Sequence, residues 1–68
     1  MQLSARNQLK GTITAVDRGP ISARIQIDIG GGNTLSSSIT CASADELGLT
    51  VGDSVVAIIK SSDVIIGK

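Results

Sequence analysis

The chain has 68 residues, with six basic and six acidic side chains, no histidine, no aromatic residue and one cysteine. Zero formal charge lacks the electrostatic footprint of a duplex-binding or polybasic membrane protein, and a single cysteine forbids an internal disulfide. Without histidine, neither a transition-metal cation site nor a nucleophile–base pair is readily built, so no enzyme is expected.

Period-two alternation dominates the chain and predicts strands. Leu9, Gly11, Ile13 and Ala15 alternate with Lys10, Thr12 and Thr14 in a first strand over 9–15. Asp17-Arg18-Gly19-Pro20 reads as the turn that follows, with Arg18 a surface charge on it. The clearest strand comes next, where Ile21, Ala23, Ile25, Ile27 and Ile29 alternate with Ser22, Arg24, Gln26 and Asp28. Gly30-Gly31-Gly32-Asn33 is a hairpin connection into a third strand over 34–40. The glycine run is not a phosphate-cradling loop, because no Lys-Ser/Thr pair follows it and it does not open a helix.

Ser43-Ala44-Asp45-Glu46 has the S-x-x-E spacing of a capping box, which places Ser43 at the N-cap of a helix of one to two turns closed by Gly48. Val51-Gly52-Asp53 is a turn, and a fourth strand spans 54–60. The unbroken apolar run from Val55 to Ile59 predicts that both of its faces are covered. A fifth strand is expected over 63–66, after a break at Ser61-Ser62. Cys41, with no base to activate it, reads as a small buried hydrophobe.

Five strands with one short helix between the third and fourth is the layout of an all-β, OB-like Greek-key barrel. Residues 1–68 make one domain, with no repeat or linker. A chain this short buries only about 60% of its unfolded surface. Its 41% apolar content with positive mean hydropathy exceeds what one small core needs, and the surplus reads as subunit interface. No apolar run is long enough to span a bilayer, and no signal-peptide layout opens the chain. A lone cysteine fits a reducing compartment, so a cytoplasmic protein is expected.

Two donor-rich clusters bracket the strands: Ser4-Ala5-Arg6-Asn7-Gln8-Leu9-Lys10-Gly11, and Lys60-Ser61-Ser62. Hydroxyl, guanidinium, amide and ammonium groups all donate protons. A tetrahedral dianion offers only acceptors, so such clusters suit an oxyanion. An intruding carboxylate would repel it and would favour phosphate, which keeps a proton near neutrality.

The opening cluster resembles the first signature of the molbindins, the small molybdate- and tungstate-binding proteins of the Mop and TOBE type. Ile59-Lys60-Ser61-Ser62-Asp63-Val64 resembles their closing signature. Ala44-Asp45-Glu46-Leu47-Gly48-Leu49 with Val51-Gly52-Asp53 resembles their helix and turn. The resemblance implies the OB-like fold, no cofactor, and molybdate or tungstate bound without covalent linkage, the metal entering only as its oxyanion. It implies a homohexamer arranged as a trimer of dimers. It assigns a first site, shared across a subunit interface, to Ser4, Ala5, Arg6, Thr40, Ser43, Lys60 and Ser61. Arg6 and Lys60 would supply charge, the hydroxyls and the Ala5 N–H would donate, and the helix start would add unpaired N–H groups. A second site, near threefold axes, falls on Gly19, Ile21 and Ser22, where Pro20 removes one N–H donor.

Storage and homeostasis of the oxyanion is the function this implies, and a free carrier with no DNA-binding or ATPase part is what is expected of a one-domain chain. Two alternatives stand beside it. An OB-type nucleic-acid binder would need aromatic stacking platforms and a positive groove, both missing here. A ligand-free assembly module would leave the end clusters merely solvated. Neither nucleic acid nor a membrane is an expected partner.

Overall fold

The isoleucine alternation folds as period two requires. In the computed structural model, which describes residues 6–68, Ala23, Ile25 and Ile27 are buried while Arg24 and Asp28 face solvent. They belong to β2 (Ser22–Gly30), which follows β1 (Asn7–Arg18) and precedes β3 (Asn33–Thr40), α1 (Cys41–Leu47) and β4 (Ser54–Ile59). All pairings are antiparallel, in the order β3-β2-β1-β4. Two hairpin partners followed by a strand that returns beside the first is the Greek-key order, so the expected all-β, OB-like arrangement is present.

β1 is the spine. Its first half pairs with β4 from Asn7↔Ile59 to Thr12↔Ser54, and its second half with β2 from Thr12↔Asp28 to Arg18↔Ala23. A register break between Ile13 and Ala15 moves the inward position from Ile13, opposite Ile27, to Val16, opposite Ile25. Such a bulge bends a strand. Midway along this twelve-residue strand, it curves β1 from its β4-paired half to its β2-paired half. Gly11 lets it do so: a Cβ there would lie 2.5 Å from Ile27 Cγ2 and 2.7 Å from the Asp28 carbonyl oxygen.

Ile13, Ala23, Ile25, Ile27 and Ala44 form the core, with Ile13 and Ala44 fully buried. Ala44 brings α1 onto the sheet. Gly48 closes the helix in the left-handed conformation (φ 61°), its N–H donating to the Ala44 and Asp45 carbonyls. The turn after the helix is stitched to β1 by Gly52 N–H on the Ile13 carbonyl (2.8 Å) and Ile13 N–H on the Asp53 carbonyl (2.9 Å).

Four sequence expectations are corrected. The fifth strand does not form: Ser61–Asp63 is a 3-10 turn, residues 64–68 join no ladder, and Ile65 and Ile66 are 94% and 85% exposed. The described sheet therefore has four strands and stays open between β3 and β4, leaving a groove of about 590 Å³ floored by Ile13, Ile25 and Ile27. Both faces of β4 are not covered, since Val56 and Ile58 on its outer side are exposed. The N-cap is Thr40, not Ser43: β3 runs into α1 without a loop, so Ser43 already lies in the first turn. Cys41 is half-buried, and its thiol donates to the Gly19 carbonyl.

Candidate oxyanion site

The antiparallel ladder places the candidate residues at two poles of the molecule. Asn7↔Ile59 is the last rung between β1 and β4, and Arg6 and Lys60 are the next residues on either strand. Both are exposed, and Ser61 follows in the 3-10 turn. Among the described residues neither cation has a carboxylate within ion-pairing distance, the one salt bridge being Arg18–Asp45. Ser4 and Ala5 lie outside the described residues.

Three backbone acceptors at this pole are already engaged. The Ile59 carbonyl accepts from Asn7 Nδ2 (3.2 Å), the Lys60 carbonyl from Asp63 N–H (2.9 Å) and the Ser61 carbonyl from Val64 N–H (3.3 Å). Three consecutive carbonyls are thus occupied beside two free cations and the Ser61 and Ser62 hydroxyls. The acid of the turn, Asp63, is exposed.

Thr40 and Ser43 belong to the opposite pole. Thr40 ends β3 across from Ser22, the first residue of β2. Its Oγ1 accepts from Ser43 N–H (3.0 Å) and donates to Ser43 Oγ (2.9 Å). Thr40 has therefore spent its proton inside the cap, whereas Ser43, whose oxygen accepts, keeps its own proton to donate outward. The expected set of unpaired N–H groups at the helix start is smaller than foreseen. Cys41 N–H is taken by the Ile21 carbonyl (2.8 Å) and Ser43 N–H by Thr40.

Gly19 and Ile21 sit at this same pole, in the β1–β2 turn, and Ser22 opens β2 beside them. The Ser22 carbonyl accepts from Gly19 N–H (2.8 Å), the Ile21 carbonyl from Cys41 N–H and the Gly19 carbonyl from the Cys41 thiol (3.5 Å). Here too three carbonyls are consumed internally. Arg18 is not free on a turn: it ends β1 and meets Asp45 Oδ1 of α1 at 2.6 Å, fixing the turn to the helix. That hydrogen bond, and then the Asp45 charge, raise the Arg18 guanidinium above its ordinary pKa. A raised cationic pKa gives a contribution fully present below the ordinary value and lost only as pH climbs through the raised one, so this contact is constant across neutral pH.

Within one chain the structure brings Arg6, Lys60 and Ser61 together, and separately gathers Thr40, Ser43, Gly19, Ile21 and Ser22, with the length of β1 between them. Sequence reasoning missed Asn7 and Cys41, whose polar groups engage carbonyls at the two poles. Only the β-ladder reveals them, because their partners are 52 and 22 residues away.

Comparison with known proteins places this architecture in a family. The TOBE domain family matches residues 3–66. A probable molybdenum-pterin-binding protein of Haemophilus influenzae is 49% identical over 67 residues, covering 98% of this chain and 97% of that one. The high-resolution structure of a molybdate-binding protein from Sporomusa ovata superposes with a TM-score of 0.93 at 34% identity, over the full length of both chains. The molybdate-bound form of the cytoplasmic molybdate-binding protein ModG superposes with a TM-score of 0.91 at 40% identity, covering 96% of this chain and 46% of that one. The chain belongs to the TOBE-domain molbindins, a family of binding proteins and not of enzymes.

Proposed function

We propose that this protein binds molybdate or tungstate as the free dianion, at sites completed by neighbouring copies of the chain, and serves storage and homeostasis of the metal in the cytoplasm. The observation that carries the reading is the chemistry of the two poles. Each sets proton donors beside backbone carbonyls that are already occupied, and one of them adds two cations that are unpaired among the described residues. A doubly charged oxide with acceptor oxygens alone is the ligand such a surface serves, and charge-assisted bonds to it are roughly twice as strong as neutral ones.

In this reading Arg6 and Lys60 supply charge, while Ser61, Ser43 and the Ser4–Ala5 segment supply further donors. Thr40 acts through Ser43 by holding its oxygen. Gly19, Ile21 and Ser22 form the second, smaller site. The names of the relatives join molybdenum to a pterin. A pterin ring is held well by aromatic stacking, and a chain without Phe, Tyr or Trp favours the bare oxyanion.

Assembly is part of the proposal. The two donor groups lie at opposite ends of one chain, so a single anion meets both only where one copy's first pole abuts another's second. Nine large apolar side chains are exposed among the described residues, against five residues in the core, and a homohexamer built as a trimer of dimers would cover them. One related protein is described as cytoplasmic, and no helix among the described residues is long and apolar enough to cross a membrane.

Equilibrium dialysis against molybdate, tungstate and excess sulfate, with bound metal counted by elemental analysis, tests the proposal. Both metal oxyanions should stay with the protein and resist the sulfate. Equal retention of sulfate contradicts the selectivity, and no retention contradicts the binding.

A further inference from the structure

β3 and β4 are the two ends of the sheet, and each keeps one backbone edge without a strand partner among the described residues. Such an edge is a template for another strand. The groove lies between these edges, walled by Leu35 and Ile39 of β3 and by Val55, Ala57 and Ile59 of β4. All five are only half-buried. The gap therefore asks for a strand with apolar side chains, which would join both edges and close the barrel.

A segment with that character follows β4 and has no place in its own sheet. Val64 is extended (φ −90°, ψ 120°), and Val64, Ile65 and Ile66 are all β-branched. Ile65 and Ile66 are the most exposed large apolar side chains of the described residues, and no charge falls between Val64 and Gly67. The 3-10 turn, closed by Asp63 N–H on the Lys60 carbonyl and Val64 N–H on the Ser61 carbonyl, leads the segment off the sheet.

We propose that two copies of the chain exchange these segments, residues 64–67 of each entering the other's groove as its fifth strand. Each copy carries one unfilled groove and one unplaced strand, so a reciprocal exchange about a twofold axis satisfies both at once. A foreign peptide would fill the groove and leave the two isoleucines in water. The inference rests on the association of copies proposed above and goes beyond it by naming what joins them. Lys60 and Ser61 stand at the root of the exchanged arm, which sets these donors at the junction between the copies.

Methyl NMR on the wild-type protein tests the exchange. Equal amounts of carbon-13-labelled and unlabelled chain are unfolded and refolded together, and isotope-filtered NOEs report contacts between copies alone. Ile65 and Ile66 methyls of one copy should contact Leu35, Ile39 or Val55 methyls of the other. The same contacts found only within a copy would mean that the tail closes its own barrel, and would overturn the inference. So would tails that touch no groove residue. A paired variant, Ile65→Asp with Ile66→Asp, should associate at least about a hundredfold more weakly in sedimentation, since two buried isoleucines are lost. Association equal to wild type would contradict the exchange. Molybdate takes no part in either measurement. Exchanged tails in a protein that binds no molybdate end the anion reading alone, and free tails in one that binds it end this inference alone.

Discussion

Two hydroxyls three residues apart have exchanged the roles that their sequence suggests. Ser43 fits a capping box, yet Thr40 caps α1 and Ser43 is left with a proton to give away. Their substitutions should therefore separate. Thr40→Ala removes the cap and should lower stability by about 1 kcal/mol in a denaturant titration. Ser43→Ala leaves its N–H on the Thr40 hydroxyl, so the titration midpoint should hardly move, while molybdate affinity should fall about tenfold through loss of a bond to a charged ligand. A capping pattern read along the chain assumes a loop ahead of the helix. This helix begins at the residue after a strand ends, and the pattern lands one turn late. The residues that engage the carbonyls, Asn7 and Cys41, were not legible either, because a hydrogen bond spanning 52 or 22 residues leaves no local periodicity.

Among the elements, strand identity was legible and strand extent was not. Alternation found β2 and β3 almost to the residue, since each has one buried or half-buried face. β1 runs to Asn7 and Arg18, beyond the expected 9–15; towards Arg18 the bulge after Ile13 reverses which parity faces inward and breaks the alternation. Gly11 explains why this strand can curve over β2. Gly11→Ala should cost about 1–3 kcal/mol as an overpacked contact, the range for inserting a methyl into a filled space. Its Cβ would meet backbone as well as a side chain, which leaves little room to yield. A chemical-denaturation midpoint equal to wild type would show that β1 does not press on β2 at Gly11. The fifth strand failed for a different reason. Its residues have strand-like composition, but within one chain they join no ladder, and composition cannot say whether a partner lies in the same molecule.

For the whole molecule, the core is too small for the apolar surface around it, and the two halves of the proposed site lie too far apart for one anion. Both problems have the same solution if copies associate, and the open groove between β3 and β4 and the exposed Ile65 and Ile66 are where cover is needed. The sequence carried the surplus of apolar residues openly. It could not carry the separation of Arg6 from Ser43, which follows from the β1–β4 and β2–β3 registers. Anything bound between copies links ligand affinity to association by mass action. Native mass spectrometry of the protein with molybdate tests the account most directly. The expected spectrum shows a hexamer carrying oxyanions, with bare monomers released on dissociation. Monomers that retain molybdate, or a hexamer that binds none, would contradict it.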